Sequence, residues 1–87
     1  MNRWALIFRI LGNINRLKII KMLKGGGLLS VSDISENLGI SLGATSKHLI
    51  TLQSLEVLWA EGKQGHVFYS ISPKIKDDFK KAIKLFT

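Results

Sequence analysis

The chain contains no cysteine. Disulfides, thiolate metal sites and cysteine nucleophiles are therefore excluded, whatever compartment it occupies. Proline occurs once and glycine eight times, and there is no low-complexity tract or internal repeat. With 46% hydrophobic residues, this composition fits a compact, helix-rich globule and argues against a disordered chain. Long apolar runs are missing as well. Trp4-Ala5-Leu6-Ile7-Phe8 starts like a signal peptide, but Arg9 interrupts it and no small-residue cleavage site follows. No other run approaches the roughly 20 residues needed to span a bilayer. The expectation is a soluble, intracellular, cytoplasmic protein. Histidine is limited to His48 and His66, the acid pair Asp77-Asp78 lies on a surface-like helix, and Gly25-Gly26-Gly27 lacks the Lys-Ser/Thr continuation of a phosphate-cradling loop. The chain offers no support for catalysis, and no cofactor is expected.

What remains is small and basic. One domain of 87 residues buries only roughly 60 to 65% of its unfolded surface, so a partner subunit would add stability. The formal charge is +7, from 13 Lys and Arg against 6 Asp and Glu, which suits a polyanionic partner because neutralised phosphates release counterions. The charge is unevenly spread. Residues 1–24 hold six basic residues and no acid, and residues 73–87 hold five against Asp77 and Asp78. Residues 25–72 have only Lys47 and Lys63 against Asp33, Glu36, Glu56 and Glu61.

Hydrophobic spacing predicts the elements. Trp4, Ile7, Phe8 and Leu11 predict a first helix over 2–11, broken by Gly12-Asn13. Asn13 is suited to cap a second helix that buries Ile14, Leu17, Ile20 and Leu23 with Ile19 and ends at the glycine triplet. Ser32 is suited to cap a short third helix ending at Leu38, with Gly39 as its left-handed terminator. Ser41 then caps a fourth, burying Thr45, Leu49 and Leu52 and leaving Leu42, Gly43, Ser46, Lys47 and Ile50 on the other side. From Val57 the period changes. Val57–Ala60 and Val67–Ile71 are β-prone runs around Glu61–His66, which predicts a hairpin. Pro73 opens a last helix, 73–86, with Ile75, Phe79, Ile83 and Phe86 in one stripe. The fold expected is mainly α with a β-hairpin wing, a single winged helix-turn-helix spanning 1–87.

Residues 31–52 read as two short helices meeting at a tight turn, the device by which a second helix enters the DNA major groove. The whole order resembles the ArsR/SmtB family of small repressors. Leu11–Ile19 resembles that family's approach to its second helix, Val31–Ser41 its turn, Ala44–Leu52 its recognition helix and Glu61–Ile71 its wing. The resemblance implies a homodimeric repressor of double-stranded DNA that binds a near-palindromic operator, with recognition helices roughly 34 Å apart. Two departures concern metals. Where many members hold metals through Cys-Val-Cys this chain has Ser30-Val31-Ser32, and its last helix lacks the histidines of the family's second site. Two more concern the reading head: Leu42 and Gly43 replace the frequent Gln and Pro, and Glu56 replaces a usual Gly at the helix exit.

The candidate DNA contacts are Ser41, Leu42, Gly43, Thr45, Ser46, Lys47 and His48, with Lys63 and Gln64 at the wing tip and Arg16 in the second helix. Lys47 suits either a phosphate or the O6 and N7 of guanine, and otherwise a solvated helix face. Arg16 suits a phosphate or an internal pair with Glu36 or Asp33. Both terminal helices are more apolar than one small core absorbs, which nominates Trp4, Ile7, Leu11, Ile75, Phe79, Ile83 and Phe86 as a dimer interface. The alternative is a winged-helix module for protein interaction or non-specific chromatin binding, suggested by the near-neutral reading head.

Overall fold

The computed structural model describes residues 3–86; Asn2 of the expected first helix lies outside them. Its elements are α1 (Arg3–Leu11), α2 (Ile14–Leu23), β1 (Leu29–Ser30), α3 (Val31–Leu38), α4 (Leu42–Ser54), β2 (Leu58–Lys63), β3 (His66–Ile71) and α5 (Asp77–Phe86). This is the expected winged order with one addition. β1 is a two-residue strand that sequence periodicity does not reveal, and it pairs antiparallel with β3, Leu29 opposite Tyr69 and Ser30 opposite Phe68. The sheet order is therefore β1-β3-β2.

Short polar side chains set the helix ends. The Asn13 Oδ1 accepts from the N–H groups of Asn15 at 2.9 Å and Arg16 at 3.2 Å, satisfying orphan donors at the start of α2. At α3 the cap is Ser30, not the expected Ser32. The Ser30 hydroxyl accepts from the Asp33 N–H and the Asp33 carboxylate accepts from the Ser30 N–H, each at 3.1 Å, a reciprocal box available only three residues apart. Pro73 also differs from expectation: it does not open the last helix. The Ile75 N–H donates to the Ser72 carbonyl at 3.3 Å, placing Pro73 second in a turn, a position whose backbone angle matches the first turn of a helix. α5 starts four residues later.

One core collects residues from all five helices and both long strands. Ile7, Leu11 and Phe79 are wholly buried in it, and Ile83 is 7% exposed. These four, expected at a dimer interface, instead pack inside the protomer, because α1 lies against α5 and the two apolar stripes close on each other. Arg3 fastens the pair: its guanidinium makes a two-pronged bond to the Asp78 carboxylate and lies 5.6 Å from the centroid of the Phe79 ring. That hydrogen bond holds the Asp78 carboxyl below its usual range. Of the nominated interface, Ile75 is half-buried, while Trp4 and Phe86 are exposed. Ile14, expected in the core, is exposed as well. A stacked pair, Trp4 and Phe8 with centroids 5.9 Å apart, faces outward along α1.

Candidate nucleic-acid interface

The turn between α3 and α4 is fixed by three residues. Gly39 takes a left-handed φ of 69° and its N–H donates to the Ser35 carbonyl at 2.9 Å, a conformation that only glycine adopts without strain. The Ser35 hydroxyl then donates to the Ile40 carbonyl at 2.7 Å, pinning the chain as it leaves. Ser41 caps α4 by accepting from the Ala44 N–H at 3.1 Å. Its own hydroxyl hydrogen remains available to an acceptor outside.

Thr45, Leu49 and Leu52 are completely buried and form the seam that holds α4 to the body. Thr45 is therefore corrected as a DNA contact. Its hydroxyl donates to the Ser41 carbonyl at 2.8 Å, inside the protein. The opposite face carries Leu42, Gly43, Lys47 and Ile50, all exposed, with Ser46 half-buried. Ile50 is 61% exposed and broadens this face beyond the residues picked as contacts. Lys47 is the one formal cation between Asn37 and Leu55. The first turn of α4 has no acid, so the partial positive charge of the helix N-terminus adds to that of Lys47.

Arg16 is placed differently from either expectation for it. Its Nε donates to the Ile10 carbonyl at 2.7 Å and its Nη2 to the Arg9 carbonyl at 3.4 Å. It thereby caps the C-terminus of α1, where unpaired carbonyls and the negative end of the helix dipole favour a cation. Its guanidinium is committed there instead of to Asp33 or Glu36. His48 is half-buried on α4. Burial, and secondarily the charge of Arg16, hold its pKa below the usual histidine value. At neutral pH the imidazole is uncharged, a hydrogen-bonding group and not a cation.

The exit of α4 shows what the Glu56 departure does. Glu56 adopts φ 59°, its N–H donates to the Gln53 carbonyl, and the Val57 N–H reaches back to the Leu52 carbonyl, both at 3.0 Å. This is the Schellman pattern with glutamate where glycine is preferred. Buried Val57 and Leu52 supply its hydrophobic contact. The chain then enters β2 and the wing. Lys63 pairs with His66 across a two-residue loop, Gln64-Gly65, with φ of 53° and 79°. Two positive φ angles make a type I′ turn, whose twist matches that of the strands. Lys63, Gln64 and His66 are all exposed at the tip, and the His66 and Phe68 rings lie in an edge arrangement with centroids 6.4 Å apart.

A recognition helix locked by a buried seam, its outer face open, followed by a hairpin with an exposed polar tip, defines a winged helix-turn-helix DNA-binding protein. The particular family follows from comparison with known proteins. The family described as "Bacterial regulatory protein, arsR family" matches residues 13–58. The transcriptional repressor SdpR of Bacillus subtilis (strain 168) is 32% identical over 72 residues, covering 83% of this chain and 79% of that protein. Among solved structures, HlyU from Vibrio cholerae N16961 superposes with a TM-score of 0.78 at 28% identity, covering 99% of this chain and 94% of the other. The homodimeric winged helix-turn-helix DNA-binding domain of Mb0332 from Mycobacterium bovis superposes with a TM-score of 0.74 at 26% identity, covering 94% and 72%. The chain belongs to the ArsR family: it is a DNA-binding transcriptional regulator, not an enzyme. Among the described residues, no helix is long and apolar enough to cross a membrane.

Proposed function

We propose that the protein is a homodimeric, sequence-specific repressor that acts on double-stranded DNA in the cytoplasm, in the nucleoid of a prokaryote, without the metal sites used by many relatives. The observation that carries this is the open face of α4. Leu42, Gly43, Ser46 and Lys47 stand opposite the buried Thr45-Leu49-Leu52 seam, so the helix offers one face and only one to a groove. Leu42 meets a thymine methyl, Gly43 lets the backbone approach closely, and Ser46 and Lys47 reach a base edge or phosphate. Ser41 donates its hydroxyl to a phosphate, and neutral His48 does the same from its ring N–H. Lys63 and Gln64 follow the minor groove.

Pairing through α1 and α5 is supported by the outward faces of those helices. Trp4 and Phe8 are 41% and 45% exposed, and Leu85 and Phe86 are 74% and 47% exposed. Isolated apolar side chains on a surface are ordinary, but a stacked aromatic pair on α1 together with an exposed apolar end on α5 suits a two-fold contact. A reading without metal sensing is supported by Ser30, whose hydroxyl holds the N-terminus of α3 where relatives have a thiolate. Repression, as opposed to activation, rests on the likeness to SdpR.

Selection from random duplex DNA at physiological salt tests the reading. Enriched near-palindromic sites, bound less well by Lys47→Ala, are expected. Binding that is weak, equal for all duplexes and indifferent to Lys47→Ala would instead indicate a non-specific or protein-binding module, the reading favoured by the near-neutral head.

A further inference from the structure

A cavity of about 200 Å³ opens on the flank of the molecule where α2, the end of β3, the turn after it and α5 meet. Its floor is aliphatic, built from Ile20, Ile71, Ile75 and Ile83. Its mouth is basic: Lys24, Lys80 and Lys84 line it, and no acidic side chain does among the described residues. The two features select for different parts of one ligand. Burial in the floor is open to any apolar group, because the hydrophobic effect has no direction. The ammonium groups add attraction only for an anion, and at the rim they keep their hydration while their stems extend the apolar wall. Lys80 and Lys84 are four residues apart on α5. Neighbouring like charges at that spacing repel, and an anion held between them removes the repulsion.

We infer that this cavity binds a small carboxylate-headed amphiphile, its tail on the isoleucine floor and its carboxylate between Lys80 and Lys84. The volume equals that of roughly seven liquid waters, room for a chain of about six to eight carbons. Lys80 lies away from the Arg3–Asp78 bond that joins the terminal helices, although Ile83 of the floor also belongs to the core between them. Asp78, which Arg3 of α1 grips, is about 200° around α5 from Lys80. The floor reaches the wing, because Ile71 is the last residue of β3.

The test is a titration of the full chain with sodium octanoate, observed at the isoleucine methyl groups by NMR. Saturable shifts confined to Ile20, Ile71, Ile75 and Ile83 are expected. 1-Octanol, which has the same length and no charge, should bind about fivefold more weakly. A K80Q/K84Q double variant should lose the same factor for octanoate while its octanol affinity and thermal midpoint stay unchanged, since both lysines are exposed. Ile75→Trp, which fills the cavity from a half-buried position, should abolish both. The inference is overturned by equal affinity for acid and alcohol, or by indifference to K80Q/K84Q. It is also overturned by unsaturable shifts that extend to the exposed Ile14 and Ile50. Movement of the floor methyl signals on dilution of the ligand-free protein, in the absence of any change at Trp4 and Phe8 of the proposed pairing face, overturns it too, by giving the cavity to a second copy of the chain. None of these measurements involves DNA, so the site stands or falls apart from the proposed function.

Discussion

Replacing Lys47 with alanine should roughly halve the salt dependence of DNA binding. Lys47 on α4 and Lys63 at the wing tip are the exposed cations of the proposed contact surface, since Arg16 is engaged with the α1 carbonyls. A dimer then makes about four lysine–phosphate contacts, and log K falls with log salt at about −0.9 for each, a slope near −3.6. Between about 50 and 200 mM salt the native protein should lose about two decades of affinity. Lys47→Ala, with about two contacts left, should lose about one. The chain's charge of +7 would suggest a slope near −13 for a dimer if every excess cation met a phosphate. Fluorescence anisotropy of a labelled palindromic duplex across a salt series measures both slopes. An unchanged slope in Lys47→Ala refutes a phosphate role for that residue. A native slope near −9 or steeper refutes the larger idea, because it requires cations outside α4 and the wing in the DNA footprint.

Glu56→Gly should stabilise the fold by about 0.5–1 kcal/mol, since relief of a left-handed glutamate outweighs the extra chain entropy of glycine; a lower urea midpoint would contradict the strain assigned to the α4 exit. Ser30→Ala should cost about 1 kcal/mol, whereas Ser32→Ala should be nearly neutral, and equilibrium unfolding of the two variants separates the caps. Because the His48 pKa is depressed in the fold, the unfolded chain takes up a proton first as pH falls through about 6.5. Stability should therefore be complete above that pH and decline below it. The decline should be smaller in His48→Gln, as followed by urea unfolding at a series of pH values.

Periodicity carried the sequence reading furthest where one face of a helix has a single possible cover. Leu49 and Leu52 are legible as the seam of α4 for that reason, whereas Thr45 reads both as seam and as DNA contact and its burial decides for the seam; Gly39 and Asn13 are legible as helix ends because their side chains, or lack of one, fit only one role. It failed where two structures share a signal. The stripes of α1 and α5 show that each helix has an apolar face, but not whether its cover is the other helix or another protomer. Ile7, Leu11, Phe79 and Ile83 were misplaced on that account. Ser30 and Ser32 are equally good caps in isolation, and Asp33 decides between them by reaching back only to Ser30. Pro73 has the same backbone angle in a turn as at a helix start. The carbonyls that engage Arg16 belong to the backbone, which leaves no trace in side-chain chemistry, and a strand of two residues has no period to detect.

That short strand has a mechanical meaning. Ser30 is at once the last residue of β1, the partner of Phe68 in the wing strand and the cap of the first helix of the turn motif. The wing and the helix-turn-helix are thus hinged on one residue and cannot be set independently. The protein resembles a caliper with its jaws fixed: in the proposed complex, the distance between what α4 would touch in one groove and what the wing tip would touch in the next is a property of the fold. A DNA site must match that gauge by its own shape and pliability. Sequence preference can therefore arise at base pairs that no side chain reaches.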